Sequence, residues 1–414
     1  MSEKSRMSAL ELRASLALAS VFGLRLFGMF VILPVFAIYA ETLPGGGSLT
    51  LAGVAIGAYG LTQAILQIPF GWWSDRWGRK PVIYVGLLIF AAGSFLAALA
   101  PNMYVVIAGR ILQGAGAVSA AVIALAADLT REEHRTKSMA MIGSTIGLVF
   151  ALSLVAAPWL AHHIGVPGIF ALTGIFALTA IMVVWQVVPA VNDQPVQRQS
   201  SLLADMKTVL ANRELLRLNW GIFALYAVLM ALFIVVPFSL RDTGMAVAQH
   251  WKIYLPVMLA SFVLMLPAMM SAHGRGSKSG AKGTKGTKGW FVASVALLLV
   301  VQIVMPWLTG DTWSIILFLL LFFTPFNILE AMLPSLVSRI APRELKGAAI
   351  GVYSSVQFLG TFAGAAAGGF LYSHWGVVGI VIPGALLTGI WLILAIGMRE
   401  SATAGSVASS SASG

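Results

Sequence analysis

Arg25, Arg110 and Glu330 each stand inside a long run of apolar residues, where ionisable side chains are rare. A charge at the centre of a bilayer costs about 2.5–3.5 kcal/mol on insertion scales, so each of the three requires a partner or a task. Glu330, in FNILEAMLPSL, has no basic residue at i±3 or i±4 on its own helix. A lone carboxyl held partly out of water loads and releases a proton, which makes Glu330 the first choice for a proton carrier. A structural hydrogen bond is the competing role. Arg110 opens RILQGAGAV and is read as a buried cation that needs an anionic or carbonyl partner, or as a packing residue held by interhelical hydrogen bonds. Arg25 lies near the middle of the first apolar run and is expected to pair with Glu330 or to meet an anionic substrate. Asp128 and Glu41 rank second as carriers, because each falls at the end of an apolar run, close to water. The six histidines fall in loops or at the ends of apolar runs, which argues against a buried histidine relay.

Uncharged polar residues form a second pattern. Tyr59, Gln63 and Gln67 recur at i, i+4 and i+8, which puts three polar groups on one face of an apolar helix. Tyr353 and Gln357 repeat the spacing, and Asn219, Tyr226 and Asn327 add single polar groups. With Phe27, Phe30, Phe223 and Phe233 beside them, these residues suit a small, largely apolar, amphipathic ligand. Their other reading is interhelical hydrogen bonding, worth about 0.6 kcal/mol each.

The elements that must position these groups follow from composition. Hydrophobic residues are 59% of the 414 and charged residues only 10%, with a mean hydropathy of +0.90. One water-soluble core cannot hide that much apolar surface, so lipid must solvate most of the chain. Twelve segments are long and apolar enough to cross a bilayer: 16–40, 50–73, 81–100, 103–127, 138–161, 166–189, 217–240, 251–271, 290–309, 313–338, 347–373 and 376–398. The first run is too long for the core of a cleavable signal and is read as a span. The spacing predicts an all-α membrane protein of twelve transmembrane helices in two six-helix bundles. The expected divisions are 1–189, a cytoplasmic linker 190–216, 217–398, and a disordered tail 399–414. MFVILP at 29–34 is echoed by LFIVVP at 232–237, and RTKSMAMIGS at 135–144 by ELKGAAIGVY at 344–353, as a duplication would leave them. GxxxG spacings at Gly143/Gly147 and Gly360/Gly364/Gly368 are expected to form the moving seams.

The net charge of +11 is explained by topology. If both ends share one face, 22 of the 26 Lys and Arg fall on that face, which places both termini in the cytoplasm. The charge is therefore not a nucleic-acid footprint. Cysteine is absent, which removes disulfides, thiolate catalysis and Cys-bound metals. The basic glycine-rich stretch 272–289 is read as a disordered loop.

Charge concentrates once more in GWWSDRWGRKP, residues 71–81, between two apolar runs. Gly71 permits close helix approach, and Gly78 lets the chain turn without strain. Asp75 is placed to face the positive dipole end of another helix, the expected target being the one that begins at Gly347, for about 0.3–1 kcal/mol. Arg79 is expected to reach Asp128. Arg76 and Lys80 serve either this latch or as ordinary anchors at the membrane surface.

GWWSDRWGRK resembles the signature G-x-x-x-D-R-x-G-R-[RK] of the major facilitator superfamily, and RILQGAGAV resembles the R-x-x-Q-G-x-G-A-A motif of its proton-coupled drug antiporters. Through FGLRLFGMFVILPVF, ADLTREEHRTKSMA and LEAMLPSL the chain resembles in particular the YajR type of bacterial inner-membrane transporters. The resemblance implies the major facilitator fold, with substrate bound between the two bundles. It implies that the 71–81 motif latches the cytoplasmic face shut and that Arg110 takes part in proton coupling. Two departures stand out. SLVAAP, with Ser153, Ala157 and Pro158, occupies the place of the branch's glycine-rich G-P motif, and 272–289 carries no second D-R-x-G-R pattern, so the gate is expected to be asymmetric.

The expected function is secondary active transport, in the form of proton-driven efflux of small amphipathic molecules or drugs by a monomer in the inner (plasma) membrane. Its partners are the lipid bilayer, protons and a small-molecule substrate, with no nucleic acid, no cofactor and no metal. Proton-coupled uptake of a small polar nutrient such as a sugar, and a non-transporting sensor, are the alternatives. No HExxH, nucleophile elbow, P-loop or acidic metal pair supports an enzyme, and two bundles in one chain offer no symmetric channel pore.

Overall fold

Polar caps mark where the chain turns back at the membrane surface. The computed structural model describes residues 7–189, 202–272, 280–342 and 345–398, and every regular element among them is helical. Ser8 starts α1 (Ala9–Phe30) with a capping box, its hydroxyl taking the Glu11 N–H while the Glu11 carboxylate takes the Ser8 N–H. Ser48 caps α3 (Leu49–Trp77), Asn102 caps α5 (Met103–Ala115), Asn212 caps α9 (Arg213–Asp242) and Asp311 caps α12 (Thr312–Ile340). Each cap satisfies amide donors that lipid could not. The remaining helices are α2 (Leu33–Ala40), α4 (Arg79–Ala98), α6 (Ser119–Asp128), α7 (Glu132–Gln186), α8 (Leu202–Ala211), α10 (Trp251–Ala272), α11 (Gly280–Val304) and α13 (Lys346–Ile396).

Ten of the helices, counting α1 with α2 and α5 with α6, are long and apolar enough to cross a membrane. Two of these, α7 and α13, run to 55 and 51 residues. At 1.5 Å per residue either would be more than twice as long as a bilayer core is thick. Each is interrupted by a glycine with positive φ, Gly165 at 69° and Gly376 at 58°, conformations that other residues rarely adopt.

One expectation about the connections is corrected. The stretch 272–289 is not a loop throughout, since α11 already begins at Gly280. The linker 190–216 holds α8 and the first turn of α9. At 280–289 an apolar span seeds the helix, and propagation carries it into glycine-rich residues of poor propensity. Residues 190–201, 273–279 and the tail 399–414 lie outside the described residues.

Glycines set how closely the helices approach. A Cβ on Gly360 would lie 2.4 Å from the Phe223 carbonyl oxygen, and one on Gly364 would lie 2.1 Å from that of Ala227. The two contacts advance in step, so α9 and α13 run parallel with their backbones touching. On another side α13 meets α3 antiparallel, with Gly53 against Ala365, Gly57 against Phe362 and Gly60 against Phe358. The Gly143/Gly147 seam does not exist in this arrangement, since a Cβ on either would meet nothing within 4 Å. Spacing alone gave both seams, but only the second faces a neighbouring backbone. Large apolar side chains such as Ile393 (73% exposed) and Leu386 (62%) point outward, as a lipid-solvated surface requires.

Gly364→Ala is expected to destabilise the protein by about 1–3 kcal/mol, because the seam has no room for a methyl group. Gly147→Ala should leave the thermal midpoint in detergent unchanged or slightly raised, since it meets only open space and gains helix propensity. Equal midpoints for the two variants would contradict the packing described.

Candidate functional site

Three clusters of polar side chains interrupt the apolar interior. The first surrounds Tyr59 on α3. The Arg110 guanidinium lies over its ring at 4.7 Å from the centroid and that of Arg25 at 5.9 Å. Arg25 donates from Nε to the Gly116 carbonyl at 3.2 Å, from Nη1 to Ser119 Oγ at 2.5 Å, and from Nη2 to Gln63 Oε1. Gln63 in turn donates to Gln67 Oε1 at 2.6 Å. The break between α5 and α6 makes this possible: Gly116 leaves the helical conformation, and its carbonyl accepts from both the Val118 N–H and Arg25. Arg110 donates to the carbonyls of Ala55 (3.3 Å) and Ile56 (3.4 Å) and to Gln113 Oε1 (2.8 Å), and Gln113 is held by Ser94 Oγ at 2.8 Å. Both arginines, Gln63, Gln67 and Gln113 are buried.

The expected pairing of Arg25 with Glu330 is therefore corrected. Arg25 is turned into its own helix group, where a bent backbone and two side chains supply neutral acceptors. Tyr59, Gln63 and Gln67 do share one face, as their spacing demands, and the face is occupied by the two arginines.

The second cluster joins α9, α12 and α13. The Tyr226 hydroxyl donates to Glu330 Oε1 at 3.1 Å, and Gln357 and Tyr353 lie beside this pair. Glu330 Oε2 is buried without a hydrogen-bond partner, as are Asn219 Nδ2 and Ser355 Oγ. Asn327, one turn from Glu330, donates to Ser261 Oγ at 3.0 Å and so ties α12 to α10. The two clusters touch through the Tyr59 and Phe358 rings, whose centroids are 6.4 Å apart.

The third cluster is the 71–81 motif at the proximal end of the bundle, the end where α1 and α9 begin. Gly78 has φ 92° and forms the turn between α3 and α4, while a Cβ on Gly71 would sit 3.4 Å from Ala120 of α6. Arg79 bonds Asp75, reaches Asp128 Oδ2 at 3.0 Å and donates to Ser74 Oγ at 2.8 Å, so one guanidinium ties α3, α4 and α6 together. Arg76 lies over the Trp72 ring at 5.2 Å, and Lys80 Nζ donates to the Val188 carbonyl at 2.5 Å, just beyond α7. Asp75 thus bonds within its own motif.

Sequence reasoning passed over Glu11. Its Oε1 accepts from the backbone N–H of Arg131 at 2.9 Å and from Arg131 Nε at 3.0 Å, clamping the start of α1 to the start of α7. The Glu11 carboxylate holds the Arg131 guanidinium above its ordinary range. The signal was legible as Ser8-x-x-Glu11 ahead of an apolar run. Glu41, a second-choice proton carrier, is instead bonded to Arg241 Nη1 at 2.6 Å. Among the described residues no group of three or more His, Cys, Asp or Glu could hold a metal ion.

The profile of the Major Facilitator Superfamily matches residues 18–365. The chain belongs to that superfamily. It is a multi-pass membrane protein and a secondary transporter, not an enzyme. The inner membrane transport protein YajR of Escherichia coli K12 is 42% identical to it over 397 residues, covering 95% of this chain and 85% of that protein. The quinolone resistance protein NorA of Staphylococcus aureus is 25% identical over 373 residues, covering 89% and 92%. The crystal structure of a bacterial homologue of the human lysosomal transporter Spinster, inward-facing and occupied, superposes with a TM-score of 0.71 at 12% identity. That match spans 94% of this chain and 96% of the other, a likeness of fold.

Because Arg25 serves three acceptors at once, Arg25→Lys should be nearly as damaging as Arg25→Gln. A single ammonium cannot reproduce the guanidinium fork, and each buried acceptor left unpaired costs about 1–3 kcal/mol. Thermal unfolding of both variants tests this, and a lysine variant of wild-type stability would contradict it.

Proposed function

We propose that this transporter crosses the inner membrane twelve times, with both termini in the cytoplasm, and exports small amphipathic molecules in exchange for protons by alternating access. The breaks at Gly165 and Gly376 support the count, since dividing α7 and α13 there turns ten crossings into twelve. The units in this reading are 1–189 and 217–398, joined by 190–216 and acting as a monomer. The name of the YajR relative supports the inner membrane, and that of NorA supports export of drug-like molecules.

The observation that carries the proton reading is Glu330. This carboxyl is set among polar groups from three helices, with one oxygen bonded to Tyr226 and the other buried without a partner. A proton satisfies that second oxygen, and a basic or hydrogen-bond-donating group of a ligand competes for the same place. Tyr226, Tyr353, Gln357 and Asn327 then form the substrate wall on this side, opposite the arginine-filled cluster of Tyr59, Gln63 and Gln67. In this scheme Arg110 and Arg25 set the electrostatic background against which the carboxyl titrates. The motif at Gly71, Asp75, Arg76, Gly78, Arg79, Lys80 and Asp128 is the proximal gate.

Reconstitution in liposomes with a trapped pH dye tests this. Amphipathic cations are expected to trigger proton movement opposite to their own, and Glu330→Gln is expected to abolish it. Coupled flux that survives the substitution removes Glu330 as carrier, and proton movement triggered only by sugars, in the same direction as the sugar, replaces export with uptake.

A further inference from the structure

We infer that the Glu41–Arg241 ion pair is the latch that holds the distal face of the transporter shut, the distal face being the end where α2 and α9 finish. The inference rests on the alternating-access reading. MFVILP and LFIVVP place Pro34 and Pro237 at equivalent points. Beyond the prolines the echo stops: Glu41 follows α2, while α9 ends in Arg241 and Asp242, whose carboxylate lies 3.6 Å from Arg241 Nε and leaves Nη1 to reach across. The duplication brings these ends together, and the divergence makes them complementary: Arg241 Nη1 meets Glu41 Oε2 at 2.6 Å.

The arginine is preset for this contact. Its guanidinium lies over the Phe238 ring at 4.9 Å from the centroid. Phe238 is stacked on Tyr372 of α13, with ring centroids 6.4 Å apart and planes 10° from parallel. The basic partner is thus held by its own half of the chain and reaches across to the other. Restricting the side chain beforehand reduces the ordering cost that makes most exposed pairs worthless.

The contact sits where the two halves meet. At this end Gly53 lies against Ala365, Gly369 against Leu49, and the Thr50 hydroxyl is 3.5 Å from that of Ser373. Toward the proximal end, Cβ atoms on Gly143, Gly147 of α7 and Gly351 of α13 would meet nothing within 4 Å. The halves therefore touch at the distal end along α3 and α13. Arg241 and Glu41 are 41% and 42% exposed, which keeps the latch weak enough to release within a transport cycle.

The absence of cysteine makes the test direct. Gly47→Cys and Gly310→Cys, at distal positions where a side chain meets nothing within 4 Å, supply two spin-label sites. Pulsed electron spin resonance in liposomes then reads the closed and open distances. Glu41→Gln and Arg241→Gln are each expected to raise the open-to-closed ratio by up to about five-fold. The double variant should match either single one, and the exchange of Glu41→Arg with Arg241→Glu should restore the wild-type ratio. Unchanged ratios, or effects of the two single variants that simply multiply, overturn the latch. In that case alternating access still stands if ligand shifts the wild-type distances. If no condition opens the distal face of the wild type, the underlying reading fails with the latch.

Discussion

A bilayer core offers no water to an unsatisfied polar group, and that constraint orders everything else in this protein. It forces the backbone into helices, caps the helices where they emerge, and requires each buried charge to find its partners within the chain. Arg25 and Arg110 meet the requirement with carbonyls, amides and a hydroxyl. Two of those carbonyls, Ala55 and Ile56, belong to a continuing helix, while that of Gly116 lies at a break between helices. The break is thus part of the arginine site. Glu330 meets the requirement by half, since one of its carboxylate oxygens is buried without a partner, which is costly.

Much of this was legible in the sequence, and the limits of legibility are physical. Hydropathy located the spans because a lipid-solvated helix has to be apolar over its whole length. The 71–81 motif showed its turn at Gly78 and its Arg79–Asp128 contact because these depend on short-range geometry. Partner choice was not legible. Arg25 and Glu330 are the obvious pair by charge, yet the sequence does not state that the chain bends at Gly116 and offers a nearer acceptor. The two GxxxG spacings were indistinguishable as strings, and only the fold decides that Gly364 faces a backbone while Gly147 faces space. Glu11 was overlooked for a different reason: it stands at the edge of an apolar run, where an acid attracts no notice until its cap is considered.

The charges at the two ends of the bundle are arranged differently. Proximally, Arg79 gathers Asp75, Ser74 and Asp128, all from α3 and α6 of the same half. Distally, Arg241 reaches a carboxylate of the other half. An interaction within one half moves with that half and does not discriminate between arrangements of the two. An interaction across the interface does, since it exists in one arrangement and is lost in the other. In the conformation described, the Glu41–Arg241 pair and the α3–α13 seam are contacts that span the two halves.

That seam also bears on how a proton could affect the rest of the molecule. Tyr59 stands between the arginine cluster and Phe358, and Phe358 precedes by two residues the glycine that lets α13 lie against α9. Gln357, the neighbour of Phe358, lies beside Tyr226 and Glu330. Two adjacent residues of α13 therefore contact the two polar clusters, one through a ring and the other through an amide. Coupling between distant sites requires an element with two discrete positions that both sites bias. A helix held by glycine contacts on α3 and α9 fits that description, because it packs at van der Waals distance on each side and cannot yield gradually. In the proposed cycle, protonation at Glu330 and separation of the halves at Tyr59 would act on the same turn of α13.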